Sequence, residues 1–374
     1  MRRSWRALWP VVLAAAVAVA LAALWTCGGR ATRAPPVAPP PAPGPAETGT
    51  VAALVDPDLE LLVTPSPEGH QPFVRAIDGA SASIDMAMFH LTDLEVTAAL
   101  VRAAGRGVRV RVIVDGKGLD AKANRAAFDQ LRAGGVDARG SSSAFSITHE
   151  KAMVVDGQTA FVTAINLTRD ADRTRDLGIV TRRREIADAV EQLFETDWRN
   201  AEGRGHDTPR ELPASLVVSP TVSRARLVAL IASAQHDLLV TVENLGDPHI
   251  DRALADAVAR HVAVRVIVPM CDKNPNPLYN LPAARELAAA GADARVMPAP
   301  ETPDTPYMHS KMILADGATA YVGSVNFSAN STTKARELGV IFANAHAAAQ
   351  IRAIFDVDWA HAVPPPADAD ARCN

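Results

Sequence analysis

The chain has 374 residues, 38 Lys and Arg against 42 Asp and Glu, and a formal net charge of −4. That balance excludes affinity for nucleic acid through bulk positive charge, and 48% hydrophobic residues exclude a disordered chain. Three cysteines are too few for a disulfide-dense scaffold or a Cys-only zinc site.

At the start of the chain, Arg2, Arg3 and Arg6 precede an uncharged run from Ala7 to Trp25. A charged start before an apolar stretch is the pattern of an export signal, and this run approaches the roughly 17–25 residues that span a bilayer. Residues 1–27 are therefore expected to be a signal peptide or membrane anchor. Leu24-Trp25-Thr26-Cys27-Gly28 resembles a bacterial lipoprotein cleavage site with Cys27 lipidated, although Trp25 and Thr26 replace the small residues such sites prefer. The expected location is outside the cytoplasm, either secreted or attached to a membrane surface through the N-terminus. Residues 28–56 form a Pro/Ala-rich linker. Its prolines from Pro35 to Pro45 favour extended polyproline II, a semi-rigid spacer.

The body is one unit written twice. Leu61-Leu62-Val63-Thr64-Pro65 matches Leu216-Val217-Val218-Ser219-Pro220, and Phe73 to Ala80 matches Leu227 to Ala234. Arg106 to Val114 matches Arg260 to Val268, and Phe194-Glu195-Thr196-Asp197-Trp198 matches Phe355-Asp356-Val357-Asp358-Trp359. Within the first unit, Ser83 to Phe89 is an apolar run of strand length. Leu94 to Ala104 is apolar at helical spacing, and Val108 to Val114 is β-branched. This alternation predicts an α/β fold of two duplicated units, 57–203 and 213–362, followed by a tail, 363–374. Each unit is expected to be a mainly parallel mixed sheet flanked by helices. The two pack as a pseudo-twofold pair around one shared active site, an intramolecular pseudo-dimer in a monomeric chain. Cys271 and Cys373 remain as a pair that export would allow to bond; two unpaired cysteines is the competing reading.

Each unit holds one H-x-K-x4-D: His149, Lys151 and Asp156 in the first, His309, Lys311 and Asp316 in the second. On a strand, residues i and i+2 share a face, so each His and Lys share a surface. Asn166 and Asn326 follow at equal distances, each after a turn signal, Asp156-Gly157 and Asp316-Gly317. His90 follows the apolar run that ends at Phe89, and Glu243 is taken as its counterpart. Both sit where α/β proteins place ligands. The remaining histidines show no metal-ligand spacing, so none of them is expected to bind a metal.

These motifs resemble those of the phospholipase D superfamily from about residue 57 to 362. Gly323-Ser324-Val325-Asn326 matches its G-S-x-N, and Glu337-Leu338-Gly339-Val340 matches the acidic segment after it. The first unit, with SIDMAMFHLTD from Ser83 and RGVRVRVIVD from Arg106, is most similar to small bacterial nucleases and cardiolipin-related members. The resemblance implies metal-independent phosphodiester cleavage: one His attacks phosphorus and forms a phosphohistidine, while the other protonates the leaving oxygen. Lys151, Lys311, Asn166 and Asn326 would hold the phosphoryl oxygens. By analogy His149 is the nucleophile and His309 the acid and base, with Glu337 orienting His309 and Asp176 orienting His149. Asp156 and Asp316 are assigned to the backbone of their turns. The first unit reads Thr163-Ala164-Ile165-Asn166, so Ser324 is expected to contribute its hydroxyl alone. The substrate implied is a phospholipid, hydrolysed to phosphatidic acid. The alternatives are nucleic acid as substrate, phosphatidyl transfer to an alcohol, and a silent lipid-binding module.

Overall fold

The computed structural model describes residues 51–169, 173–201, 205–271, 278–367 and 373. The export signal or anchor, Cys27 and all but the last few residues of the linker lie outside the described residues. Among the described residues, no helix is long and apolar enough to cross a membrane.

Both halves build the same sheet. The first runs Asp137–Gly140, Arg109–Val114, Ser83–Met88, Lys151–Val155, Thr159–Thr163, Thr174–Thr181. The second runs Asp293–Met297, Ala263–Pro269, Asp237–Val242, Lys311–Ala315, Thr319–Gly323, Glu337–Ala343. Within each series of six, the expected parallel pairing runs only through the first three strands, where helices provide the crossovers, and recurs outside the series in short edge pairs. The strands that carry the His-Lys motif pair antiparallel with their neighbours. A hairpin turn leaves no room for a crossover helix, and here it is built on left-handed Asp156 and Gly157, at φ 52° and 61°. Asp316 and Gly317 repeat it at 51° and 64°.

Local capping repeats as well. Asp93 accepts from the N–H groups of Glu95 and Val96 to start the helix Leu94–Gly105. Asp247 does the same with His249 and Ile250 for Pro248–Ala259. Each cap satisfies amides that would otherwise be orphaned, a contribution of about 1 kcal/mol. Strand alternation then divides the core. Ala152, Val154, Met312 and Leu314 enter an apolar layer shared by both halves, whereas Met153 and Val155 face the first half's own helices.

The halves also exchange edges. Tyr307–Met308 of the second half runs parallel beside Thr174 and Arg175 of the first. Reciprocally, Thr148 of the first half bridges Arg336 of the second. Two buried ion pairs fasten the exchange. Arg175 forks onto Asp358 at 2.8 and 2.9 Å. Arg336, fully buried, reaches Asp197 at 3.1 Å and lies over the Phe145 ring at 4.3 Å. The Asp of the repeated Phe-x-x-Asp-Trp is thus a cross-half anchor. Burial pushes both carboxyls up, Asp197 to about 6, against the opposing pull of their arginines.

Cys271 and Cys373 form a disulfide, Cα to Cα 5.7 Å, which resolves the open question of their pairing. Backbone bonds between Val296 and Val363 lay the start of the tail along the outer strand of the second sheet.

Candidate active site

The edge exchange brings the two His-Lys motifs to one gap. His149 and His309 are both buried, with ring centroids 6.3 Å apart. Their backbone positions are set across the halves: the His149 N–H donates to the Arg336 carbonyl at 2.8 Å, and the His309 N–H to the Arg175 carbonyl at 3.1 Å. Arg175 and Arg336 each immediately precede a carboxylate, so each imidazole meets the carboxylate of the opposite half. His149 Nδ1 lies 2.9 Å from Glu337 Oε2. His309 Nδ1 lies 2.7 Å from Asp176 Oδ1. This corrects the sequence assignment, in which Glu337 served His309 and Asp176 served His149. The spacing was right and the partners are swapped, because the strand edges are exchanged between halves. In both rings the Nδ1 contact turns Nε2 toward the gap.

Lys151 and Lys311 are fully buried beneath the rings. Lys151 Nζ donates to the His149 carbonyl at 2.7 Å and sits 5.0 Å from the centre of the Phe89 ring. Lys311 Nζ donates to the His309 carbonyl and, at 2.8 Å, to Glu243 Oε2. Burial and the nearby Lys311 charge bring the Lys151 ammonium down to about 7. The same causes, burial first and then both lysines, hold His149 well below the ordinary histidine range, so its imidazole is neutral. Burial pushes Glu337 up to about 7, against Ser331, Lys151, Lys311 and Ser324.

Glu243 is the residue that sequence reasoning placed in the pocket but misaligned. Its Oε2 gathers Lys311 Nζ at 2.8 Å, Asn326 Nδ2 at 3.3 Å and His309 Nε2 at 3.5 Å, while Tyr307 donates to Oε1 at 3.1 Å. Burial raises its carboxyl, but His309 and Lys311 outweigh burial and keep it ionised. Strand register shows which residue occupies the same place in the first half. Met88 pairs with Lys151 as Val242 pairs with Lys311, so Phe89, not His90, is the counterpart of Glu243. The signal available was the strand end; the register was not visible in the repeat. His90 borders the gap one residue on, its Nδ1 3.2 Å from Asn124 Nδ2. Burial, Lys151 and His309 lower it to about 4.

The other expected residues divide cleanly. Asn326 Oδ1 accepts from the Asn244 N–H at 3.0 Å, which turns its amide Nδ2 toward Glu243. Asn166 has a buried Oδ1 without a hydrogen-bond partner among the described residues. Asp156 accepts from the N–H groups of Ser81, Ala82 and Ser83, and Asp316 from those of Gln235, His236 and Asp237. Both are backbone staples, as expected. Ser324 is corrected: it is fully buried, and its hydroxyl accepts from the Leu338 N–H at 3.1 Å. It braces the strand that carries Glu337 instead of facing the gap. The preceding Gly323 is required by closeness, since a Cβ there would lie 2.3 Å from the Gly339 backbone. In the first half Thr163 takes that place opposite Gly178, a second glycine.

Comparison with known proteins finds the same duplication. A family model described as cardiolipin synthase, PLD-like domain, matches residues 73–198 and again 227–359, one copy per half. A phospholipase D of Rickettsia felis is 30% identical over 136 residues, 36% of this chain and 64% of that protein. Cardiolipin synthase A of Pseudomonas aeruginosa is 25% identical over 300 residues, 71% of this chain and 58% of that protein. The chain thus spans less than two thirds of the length of either relative. Among solved structures, phosphatidylserine synthase of Haemophilus influenzae superposes with a TM-score of 0.65 at 14% identity, covering 83% of this chain and 88% of that one.

Proposed function

The chain belongs to the family of phospholipase D-like domains, and from that premise we propose that it hydrolyses membrane phospholipids to phosphatidic acid and a free head group. The observation that carries this reading is the pair of buried imidazoles facing one gap, each held at Nδ1 by a carboxylate and each with a lysine beneath it. A phosphodiester repels an anionic nucleophile, and a neutral imidazole avoids that repulsion. His149 Nε2 attacks phosphorus, the bond to the head-group oxygen breaks, and His309 gives that oxygen a proton. Water then attacks the phosphohistidine, His309 takes up its proton, and phosphatidic acid leaves. Lys151, Lys311 and the Asn166 and Asn326 amides stabilise the phosphoryl oxygens as charge builds on them. The lysines supply the positive charge for this step.

The surroundings support this order of roles. His149 is kept neutral by burial and by two lysines, as a nucleophile must be. His309 has a carboxylate near each ring nitrogen, Asp176 and Glu243, the counter-charges that an imidazolium needs.

A second reading, phosphatidyl transfer to an alcohol in place of water, is favoured by the resemblance to cardiolipin synthase A, which extends over 300 residues. We place either reaction outside the cytoplasm, with residues 1–27 as the export signal or anchor and the body working as a monomer. The Cys271–Cys373 disulfide supports an oxidising compartment.

The test uses residues 47–374, which form one compact unit, with mixed phospholipid vesicles in excess chelator. Phosphatidic acid is expected, and its absence in a His309→Ala variant. Accumulation of a phosphatidyl alcohol when alcohol is added assigns transfer. Cleavage of single-stranded DNA or RNA alone moves the substrate to nucleic acid. Lipid binding with no product, unchanged in a His149→Ala, His309→Ala double variant, leaves a binding module.

A further inference from the structure

Glu243 adds a third ligating group to the two imidazoles. One ligand atom each from His149, Glu243 and His309 lie within 4.8 Å of one another. We propose that these three side chains form a seat for a divalent transition cation of the zinc type, which occupies the gap in place of substrate and inhibits the enzyme reversibly.

The geometry is that of a three-ligand site with an open position. Zinc takes His nitrogen and carboxylate oxygen at about 2.0–2.2 Å in a tetrahedron, which puts neighbouring ligand atoms about 3.3–3.5 Å apart. His309 Nε2 and Glu243 Oε2 are already 3.5 Å apart. No pair of the three ligand atoms is more than 4.8 Å apart, so a side-chain adjustment of at most about 1.5 Å closes the set. Both imidazoles carry the outer support that metal-binding histidines use: Nδ1 rests on a carboxylate, Glu337 at 2.9 Å and Asp176 at 2.7 Å, which orients Nε2 inward. The charge around the gap suits a cation too, because Asp176 and Glu243 both lie against His309, and the Lys311 ammonium is already paired with Glu243. Lys311, which now bonds Glu243 Oε2, also donates to the His309 carbonyl and keeps that contact when a cation takes the carboxylate. Two nitrogens and one oxygen select zinc-like ions over magnesium or calcium, which demand oxygen ligands throughout.

Inhibition rests on the proposed reaction, whereas binding does not. A ring nitrogen that holds the cation has no lone pair with which to attack phosphorus. The cation and the phosphodiester therefore exclude each other.

The experiment titrates zinc chloride into the full chain by calorimetry. It repeats the titration with cobalt(II), whose visible bands report a tetrahedral nitrogen and oxygen environment. Turnover of bis(4-nitrophenyl) phosphate is followed in parallel. One zinc per chain is expected, weakened at least about ten-fold in Glu243→Gln and lost in His149→Ala. Asp176→Asn, which touches only the outer support, weakens it about 10–100-fold. Turnover falls as zinc binds and returns with chelator. Circular dichroism confirms that each variant is folded. No zinc binding, or equal affinity in wild type, folded Glu243→Gln and folded His149→Ala, overturns the site. Binding without loss of turnover overturns the inhibition. Zinc bound as described by a chain that cleaves no phosphodiester keeps the site and removes the proposed function instead.

Discussion

The two halves share a scaffold almost residue for residue, yet the two sides of their common gap differ. On the first side Lys151 lies against the Phe89 ring; on the second, Lys311 is paired with the Glu243 carboxylate. Among the described residues, His149 has one carboxylate within 4 Å of its ring nitrogens, and His309 has two. Ala164 stands where Ser324 braces its strand. The duplication supplies the framework, and a few substitutions at the strand ends give the two histidines different surroundings, the basis of the proposed division into nucleophile and acid. The ties between the halves, by contrast, stay symmetric: Arg175 to Asp358 mirrors Arg336 to Asp197.

The difference between the imidazoles is broken most severely by removing one. His149→Ala is expected to abolish turnover of every phosphodiester, a loss of at least about 10⁴-fold. His309→Ala loses natural lipid substrates to a similar degree but keeps a measurable first turnover with a nitrophenyl ester, whose leaving group needs no proton. Equal behaviour of the two variants on that ester would erase the distinction.

Symmetry at the anchors is tested by stability. Arg336→Ala leaves the buried Asp197 carboxyl unpaired and is expected to destabilise the chain by about 3–5 kcal/mol in denaturant unfolding. Arg175→Ala costs less, because the Arg175 side chain is 14% exposed where Arg336 is fully buried. A reversed order would show that the two ties are not equivalents.

The crossing of carboxylates gives a smaller, more pointed effect. Asp176→Asn and Glu337→Gln should each slow turnover about 10–100-fold. Asp176→Asn is expected to follow the His309→Ala pattern and spare the nitrophenyl ester, because Asp176 serves the histidine of the other half. Glu337→Gln should follow His149→Ala. The opposite pattern would restore the within-half pairing.

The mildest test is pH. Lys151 is charged below about 7 and loses its proton as pH rises through that value. The positive charge proposed to stabilise the phosphoryl oxygens is therefore present in mild acid and fades in base, so kcat/KM should fall above about pH 7. Phe89→Glu gives the first side the carboxylate of the second and should move that descent to higher pH. An unchanged descent would detach it from Lys151.

The scaffold was legible because duplication writes each element twice, so chance matches drop out. The His-Lys pairs, both asparagines and the turn aspartates were found on that basis. Which histidine each carboxylate serves was not legible. Glu337 follows His309 by nearly the same spacing as Asp176 follows His149, and only the exchanged edges at Thr148 and Tyr307 decide the partner. Phe89 was passed over in favour of His90 because a one-residue register at a strand end leaves no trace in apolar patterning. The antiparallel run through the motif strands was signalled by Asp156-Gly157, but weighed less than the strand–helix alternation before it.

The division of labour is tested most directly by trapping the covalent intermediate. The chain would be mixed with a nitrophenyl phosphodiester, quenched in alkali within the first turnover, digested and mapped by mass spectrometry. The phosphoryl group is expected on His149, with His309 unmodified. A label on His309, or none on either histidine while substrate is being cleaved, would contradict the assignment.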